Sequence, residues 1–195
     1  RNRYPNLMLM ADANSAFTLE DIPLFQQLDF LHLLMIEQPL AYDDLLDHGY
    51  LQSLIQTPLC LDESINTIHD TRSAIALKSA PIINLKVSRV GGISNLLDIH
   101  YLCQKAGIKL WCGGMLESGI GRATNLHIAS LPNFVLPADI SATNRYFHQD
   151  IIQETFTLNQ EDSTLDVPSG KGLGVTINPE IFVKFLQSKE VFYPN

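Results

Sequence analysis

Apolar residues in this chain gather into short runs that recur at nearly constant spacing, and each run ends on a charged side chain. Leu7-Met8-Leu9-Met10-Ala11 ends at Asp12, Leu33-Leu34-Met35-Ile36 at Glu37, Pro58-Leu59-Cys60-Leu61 at Asp62 and Ile82-Ile83-Asn84-Leu85 at Lys86. The charged ends lie 25, 25 and 24 residues apart. A buried strand of about six residues, a helix of about ten to twelve and two short loops fill one such interval, so the pattern predicts repeating strand–helix units in a parallel sheet.

The segments between the runs supply the helices. One is expected from about Thr18 or Asp21 to Leu28, with Pro23 in its first turn, and another within residues 44–55. Thr67 with Asp70 three residues on forms an N-cap pair that opens a helix to about Lys78. Leu96, Ile99, Cys103 and Ala106 follow helical spacing, and Gly107 is the expected C-cap. A fifth strand over 108–112 leads through the glycine-rich stretch 113–122 into a helix reaching about Ser130. Residues 134–136 form the last strand of the ladder, with Asp139 just beyond. In the tail, alternating stretches at 155–158 and 175–177 flank a turn-rich segment, 168–174, whose glycines precede strand-like residues rather than a helix; this argues against a nucleotide loop. A final helix is expected over 179–186. Six strand–helix periods stand against the eight of a closed barrel. The expected fold class is therefore α/β, an incomplete TIM-type (β/α) barrel over 1–149 with a C-terminal tail over 150–195, and two further units are expected before Arg1.

Neighbouring parallel strands lie about 4.8 Å apart, so acids at the same end of three successive strands converge near the middle one. Converging carboxylates repel unless a cation lies among them, and oxygen-only ligands favour a hard ion, Mg²⁺ or else Mn²⁺, over zinc. Asp12, Glu37 and Asp62 are thus candidate metal ligands. Asn14, two residues beyond Asp12, is read either as a support for a neighbouring ligand or substrate or as an Asx turn. A lone lysine at a strand end is ordinarily a surface charge; in register with three acids, Lys86 is assigned to the site. Glu63 is expected on the opposite side of the strand from Asp62, in a salt bridge. The stretch 113–122 is expected to offer free backbone N–H groups to a substrate carboxylate, with Glu117 a substrate-side candidate. The six histidines contain no His-x-x-x-His pair and are not expected to touch metal.

Composition narrows the partners. With 195 residues, 46% hydrophobic and 17% charged, the chain falls among ordinary soluble globular proteins. A formal charge of −8 without a basic stripe argues against a nucleic-acid partner and for a small molecule. Cys60, Cys103 and Cys112 are odd in number and show no Cys-x-x-Cys spacing, so they are read as buried thiols of a reducing compartment. No run approaches a membrane span and no secretory signal opens the chain, which makes a cytoplasmic location the expectation. The start at Arg1-Asn2-Arg3, followed almost at once by a strand, reads as a piece of a longer protein.

The order Asp12-Ala13-Asn14, Glu37-Gln38-Pro39, Asp62-Glu63-Ser64, Lys86-Val87-Ser88-Arg89-Val90-Gly91-Gly92 and Gly113-Gly114-Met115-Leu116-Glu117-Ser118-Gly119-Ile120-Gly121-Arg122 resembles the enolase superfamily. The muconate-lactonizing subgroup fits best, and within it the branch of o-succinylbenzoate synthases and N-acylamino acid racemases. The resemblance implies Asp12, Glu37 and Asp62 as magnesium ligands, Lys86 as the acid/base lysine of the sixth strand, and Gly114 and Met115 as lining the pocket for an acyl or succinyl group. It also implies an α+β capping domain, and a Lys-x-Lys motif facing Lys86 that would fall about 25 residues before Asp12. Neither is in this chain. The implied reaction begins with loss of a proton α to a carboxylate, followed either by dehydration of a succinyl-hydroxycyclohexadiene carboxylate on the route to menaquinone or by racemisation of an N-acylamino acid. A reading of another class is an inactive partial barrel or binding module, whose unpaired first and last strands would favour pairing with another chain, a homo-oligomer included.

Overall fold

The computed structural model of this chain describes residues 1–193. They form two compact units, one of residues 1–113 with 132–137 and the other of residues 114–131 with 138 onward.

In the first unit five strands, β1 (Met10–Asp12), β2 (Met35–Glu37), β3 (Leu59–Leu61), β4 (Ile82–Asn84) and β5 (Lys109–Trp111), lie side by side in sequence order. Every neighbouring pair is parallel. Parallel neighbours need crossovers, and these are the helices α1 (Ile22–Leu28), α2 (Leu46–Leu54), α3 (Ile68–Leu77) and α4 (Ile93–Ala106). Local chemistry sets their ends. Thr67 Oγ1 accepts from the Asp70 N–H at 3.2 Å while the Asp70 carboxylate accepts from the Thr67 N–H at 2.8 Å, closing a capping box. Thr18 and Asp21 make the same box over a single tight turn that runs into α1, with Pro23 in the first turn. Gly107 stops α4 at φ +75°, a left-handed conformation that a Cβ would penalise.

Register decides which side chains share a face. Asp12 pairs with Glu37, Glu37 with Cys60, Cys60 with Ile82 and Ile82 with Lys109. Laterally paired residues of a parallel sheet point the same way and alternate residues return to that face. One face therefore carries Met35, Cys60, Ile82 and Trp111, which form a buried cluster. Ile36, Leu59, Leu61, Ile83 and Leu110 point the other way and are buried with Phe25, Leu51, Ala74, Leu96, Ile99 and Cys103 of the helices.

Two expectations for this sheet fail. Residues 134–136 do not extend the ladder beyond a single parallel bridge between Leu110 and Phe134. Pro137 has no N–H to continue it. The β1 run is not buried: Leu7, Met8 and Met10 are 53%, 63% and 40% exposed, because β1 has a neighbour on one side only.

The second unit contains α5 (Gly119–Ala129) and α6 (Pro179–Phe185). Its core is Ala123, Leu126, Ile140, Ile152 and Phe156, with Ile120, Leu165, Leu173 and Val175 packed against it. Arg122 is fully buried there against Asp150, at 3.2 Å. Neither alternating stretch, 155–158 or 175–177, forms a strand; a single antiparallel bridge joins Ile152 to Ile177. Asn178 caps α6 by accepting from the Ile181 N–H at 3.3 Å. Among the described residues no helix is long and apolar enough to cross a membrane.

One buried group makes the first unit sensitive to acid. His100 on α4 is 2% exposed, both ring nitrogens lack a partner among the described residues, and the ring stacks on Phe134 with centroids 5.9 Å apart. Burial holds its pKa below the ordinary histidine value. The unfolded chain then binds the proton more readily than the folded one, so the stability tied to neutral His100 is complete above about pH 6.5 and is lost as pH falls below it. Replacing His100 with Leu is expected to flatten the loss of stability between pH 7 and pH 5, by at most about 1.4 kcal/mol per pH unit, in urea unfolding midpoints. An unchanged slope contradicts this.

Candidate active site at the strand ends

The candidates lie at the ends of these strands or just beyond them. Asp12 and Glu37 are lateral partners, Asp62 is two residues beyond Cys60, and Asn84 and Lys86 are two and four residues beyond Ile82. Hydrogen bonds tie these ends together. Asn84 Nδ2 donates to Glu37 Oε1 at 2.8 Å and Asn84 Oδ1 accepts from the Gly113 N–H at 2.8 Å, so one amide links the ends of β2, β4 and β5. Lys86 Nζ donates to Asp62 Oδ2 at 2.8 Å, and the Arg89 guanidinium donates to Asp62 Oδ1. A Cβ on Gly113 would stand 2.5 Å from Asn84 Nδ2 and 2.9 Å from Lys86 Cε, so only glycine lets both side chains lie where they do.

Burial without matched charge shows in Glu37. It is 3% exposed, and its carboxyl is pushed up to about 7, first by burial and further by the charges of Asp12 and Glu63, against the opposing effects of the Asn84 amide and Lys86. Asp12 is exposed; Asn14 turns back on it, donating from its backbone N–H at 3.0 Å and from Nδ2 at 2.9 Å. Asp62 is buried and balanced by two cations.

Two groups behave differently from expectation. Glu63 makes no salt bridge among the described residues, and its Oε2 is buried without a partner. The two cations of the segment after β4, Lys86 and Arg89, are both engaged by Asp62. In the second unit, the N–H groups at the glycine-rich stretch are not free. Gly114 N–H donates to Asp139 at 2.5 Å, Met115 N–H to Glu117 Oε1 at 2.9 Å and Gly119 N–H to Asp150 at 2.8 Å. Glu117 also accepts from Asn125 Nδ2 at 2.5 Å, so its carboxylate braces the loop from within.

Gln38 was not foreseen. It is fully buried at φ +37°, and its Oε1 accepts from the backbone N–H of Asp62 at 2.9 Å while Nε2 donates to Ser64 Oγ at 2.8 Å. It therefore locks the end of β2 to the end of β3 and aims Asp62. Its backbone still bonds both neighbours, the Gln38 N–H donating to Cys60 O at 2.8 Å and its carbonyl accepting from the Ser15 N–H at 2.7 Å, and nothing in the sequence around it marked its side chain.

Among the described residues no group of three or more His, Cys, Asp or Glu stands close enough to hold a metal ion. In kind, the donors fit one. Asp12, Glu37 and Asp62 offer only oxygen, as hard divalent ions require. The Glu37 carboxyl, driven up to about 7 by burial, marks a place short of positive charge, whereas Asp62 is already matched by two cations.

A parallel α/β unit with acids and a lysine at the carboxyl ends of successive strands is the arrangement of an enzyme that works at its strand ends. The chain belongs to the enolase C-terminal domain-like family, whose model matches residues 1–181. It is 51% identical over 191 residues to an o-succinylbenzoate synthase of Enterococcus faecalis, covering 98% of this chain and 52% of that protein. It is 49% identical over 175 residues to an N-succinylamino acid racemase of Thermus thermophilus, covering 90% and 47%. A crystal structure of an enolase-superfamily protein from Enterococcus faecalis superimposes with a TM-score of 0.90 at 53% identity, covering 94% of this chain and 49% of that one. The chain thus spans about half the length of the curated relatives it matches.

The raised Glu37 pKa has a measurable consequence. Its folded value of about 7 exceeds the ordinary 4.5, so the folded chain holds this proton more tightly than the unfolded one. The contribution is complete below about pH 4.5 and is lost as pH rises through about 7. Glu37→Gln keeps an acceptor for Asn84 and removes the charge. In EDTA it is expected to stabilise the chain at pH 8, by up to about 3 kcal/mol, and to change little near pH 4.5. Equal or lower stability at pH 8 contradicts this assignment.

Proposed function

We propose that this chain is the metal-bearing part of an o-succinylbenzoate synthase. The supporting observations are local: Asp12 pairs with Glu37, Asn84 bonds Glu37 and Lys86 bonds Asp62 at successive strand ends, in a chain 51% identical to such a synthase. Asp12, Glu37 and Asp62 would hold the divalent cation, Mg²⁺ with Mn²⁺ as substitute. When bound, that cation supplies positive charge to the oxygens of the substrate carboxylate, on which negative charge grows as the α-proton leaves.

Within this chain Lys86 carries the chemistry. Its ammonium, 2.8 Å from Asp62 in this structure, would donate to the growing enediolate. The α-proton passes to a base, the C–H electron pair enters the enediolate, and that pair then expels the β-hydroxyl, so that proton and hydroxyl leave together as water. The base belongs, on this reading, to the Lys-x-Lys strand that the resemblance places in the part of the relatives' length that this chain does not cover, with the capping domain before it. Asn84 and Gln38 keep the acids oriented. Gly114, Met115 and Glu117 are assigned to the substrate's succinyl side, Glu117 as a brace rather than a contact. We read residues 1–149 as the barrel portion, an incomplete barrel, and 150–195 as the tail that packs toward the capping domain. A small-molecule carboxylate as partner, a homo-oligomer and a cytoplasmic location complete the reading.

Racemisation of N-succinylamino acids is the second reading, favoured by the 49% identity to such a racemase. Lys86 would then return a proton to the α-carbon on its own side. In the whole protein with Mg²⁺, Lys86→Ala is expected to lower synthase turnover by at least about a thousandfold with the fold retained by circular dichroism. Exchange of the α-proton of an N-succinylamino acid with deuterium from solvent separates the readings: exchange faster than dehydration of the cyclohexadiene substrate supports the racemase. The 195-residue chain alone is expected to turn over neither substrate. Lys86→Ala with near-normal turnover in both assays returns Lys86 to an ordinary surface charge.

A further inference from the structure

Asp62 cannot keep both of its present partners and also serve a divalent cation. It is buried, its two oxygens are taken by Lys86 and Arg89, and a dication bonded there would meet two positive charges at contact distance. Gln38 fixes the backbone of Asp62 through its N–H, and burial of the side chain keeps the carboxylate out of solvent. One of the cations has to yield.

The two differ in where they can go. Lys86 stands at the strand end with its stem against the backbone of Gly113, close enough that a Cβ there would lie 2.9 Å from its Cε. Arg89 lies three residues further, in the loop before α4, and its side chain lines a pocket of about 310 Å³. The same pocket is lined by Asn66, Asn95 and Asp98. Arg89 makes no other side-chain hydrogen bond among the described residues. Asp98, on the exposed side of α4, has no side-chain hydrogen bond or ion pair among them. A guanidinium leaving Asp62 thus has both a volume to enter and a carboxylate to meet.

We propose that Arg89 is a displaceable counter-ion: it neutralises Asp62 while the cation is absent and swings into the adjoining pocket, toward Asp98, when a divalent cation takes Asp62. The inference rests on the reading of Asp62 as a cation ligand. Arg89 then competes with the cation for one carboxylate, and Asp98 favours the cation by holding the arginine aside. Two substitutions at neighbouring positions should therefore shift cation affinity in opposite directions, which a merely structural role for either residue does not produce. Arg89→Met keeps the apolar stem and removes the competitor. Asp98→Asn removes the receiving charge at an exposed site, where folding is not at stake.

The test is Mn²⁺ binding to the whole protein without substrate, followed by loss of the free-ion electron paramagnetic resonance signal. Arg89→Met is expected to bind about tenfold more tightly than the unsubstituted protein and Asp98→Asn about threefold more weakly. The Arg89 Nε–H resonance should move on saturation with diamagnetic Mg²⁺, a readout that does not depend on a variant folding. If the unsubstituted protein binds no Mn²⁺, the cation reading of the site is overturned and this inference with it. If it binds Mn²⁺ while the Asp98→Asn affinity and the Arg89 resonance stay unchanged, the counter-ion inference alone is overturned.

Discussion

Two carboxylates buried at neighbouring strand ends, Glu37 and Asp62, set the terms for everything around them. A charge withdrawn from water must be neutralised by a proton, a paired cation or a bound ion. The structure uses the first two: burial drives the Glu37 carboxyl up to about 7, and Asp62 is matched by Lys86 and Arg89. Each solution is reversible at neutral pH or by displacement. That is what a site built to receive a cation requires, since its acids must be available without holding an unpaired charge in the meantime.

The supports follow from the same constraint. Asn84 and Gln38 are uncharged, so they can fix the buried acids without adding to the electrostatic load. Asn84 spans β2, β4 and β5 through one amide, and Gln38 reaches from β2 to the backbone of β3. Gly113 is the steric counterpart, leaving the space that Asn84 and Lys86 occupy. The glycine-rich stretch in the second unit is organised by acids too, with Asp139, Glu117 and Asp150 each accepting a backbone N–H. There the acids shape a loop rather than await a charge.

The period of apolar runs made the sheet legible, because a strand–helix repeat has a nearly fixed length and each charged end marks a strand terminus. Capping at Thr67 and Gly107 was equally legible, being a contest within a few residues. Tertiary pairing was not. The single bridge at Phe134 depends on what lies beyond Pro137, and the exposure of Met10 depends on how many neighbours β1 has, neither of which is written in those segments. The acids and Lys86 could be named from spacing and resemblance, but Arg89 drew attention only as part of a motif, and its partner emerged only with the fold. Glu63 shows the limit most clearly. Alternation said which way it should point, yet whether a cation stands within its reach is a matter of three-dimensional supply, and among the described residues its Oε2 is buried without a partner.

Convergence of Asp12, Glu37 and Asp62 on one cation is the proposal on which the rest depends. Anomalous diffraction from crystals of the whole protein soaked in Mn²⁺ decides it. One strong peak is expected, bonded to oxygens of all three carboxylates at about 2.1 to 2.2 Å, slightly longer than for Mg²⁺, with the Arg89 guanidinium no longer on Asp62. A peak elsewhere, or a soaked crystal in which Asp62 still holds both Lys86 and Arg89 and carries no peak, would contradict it.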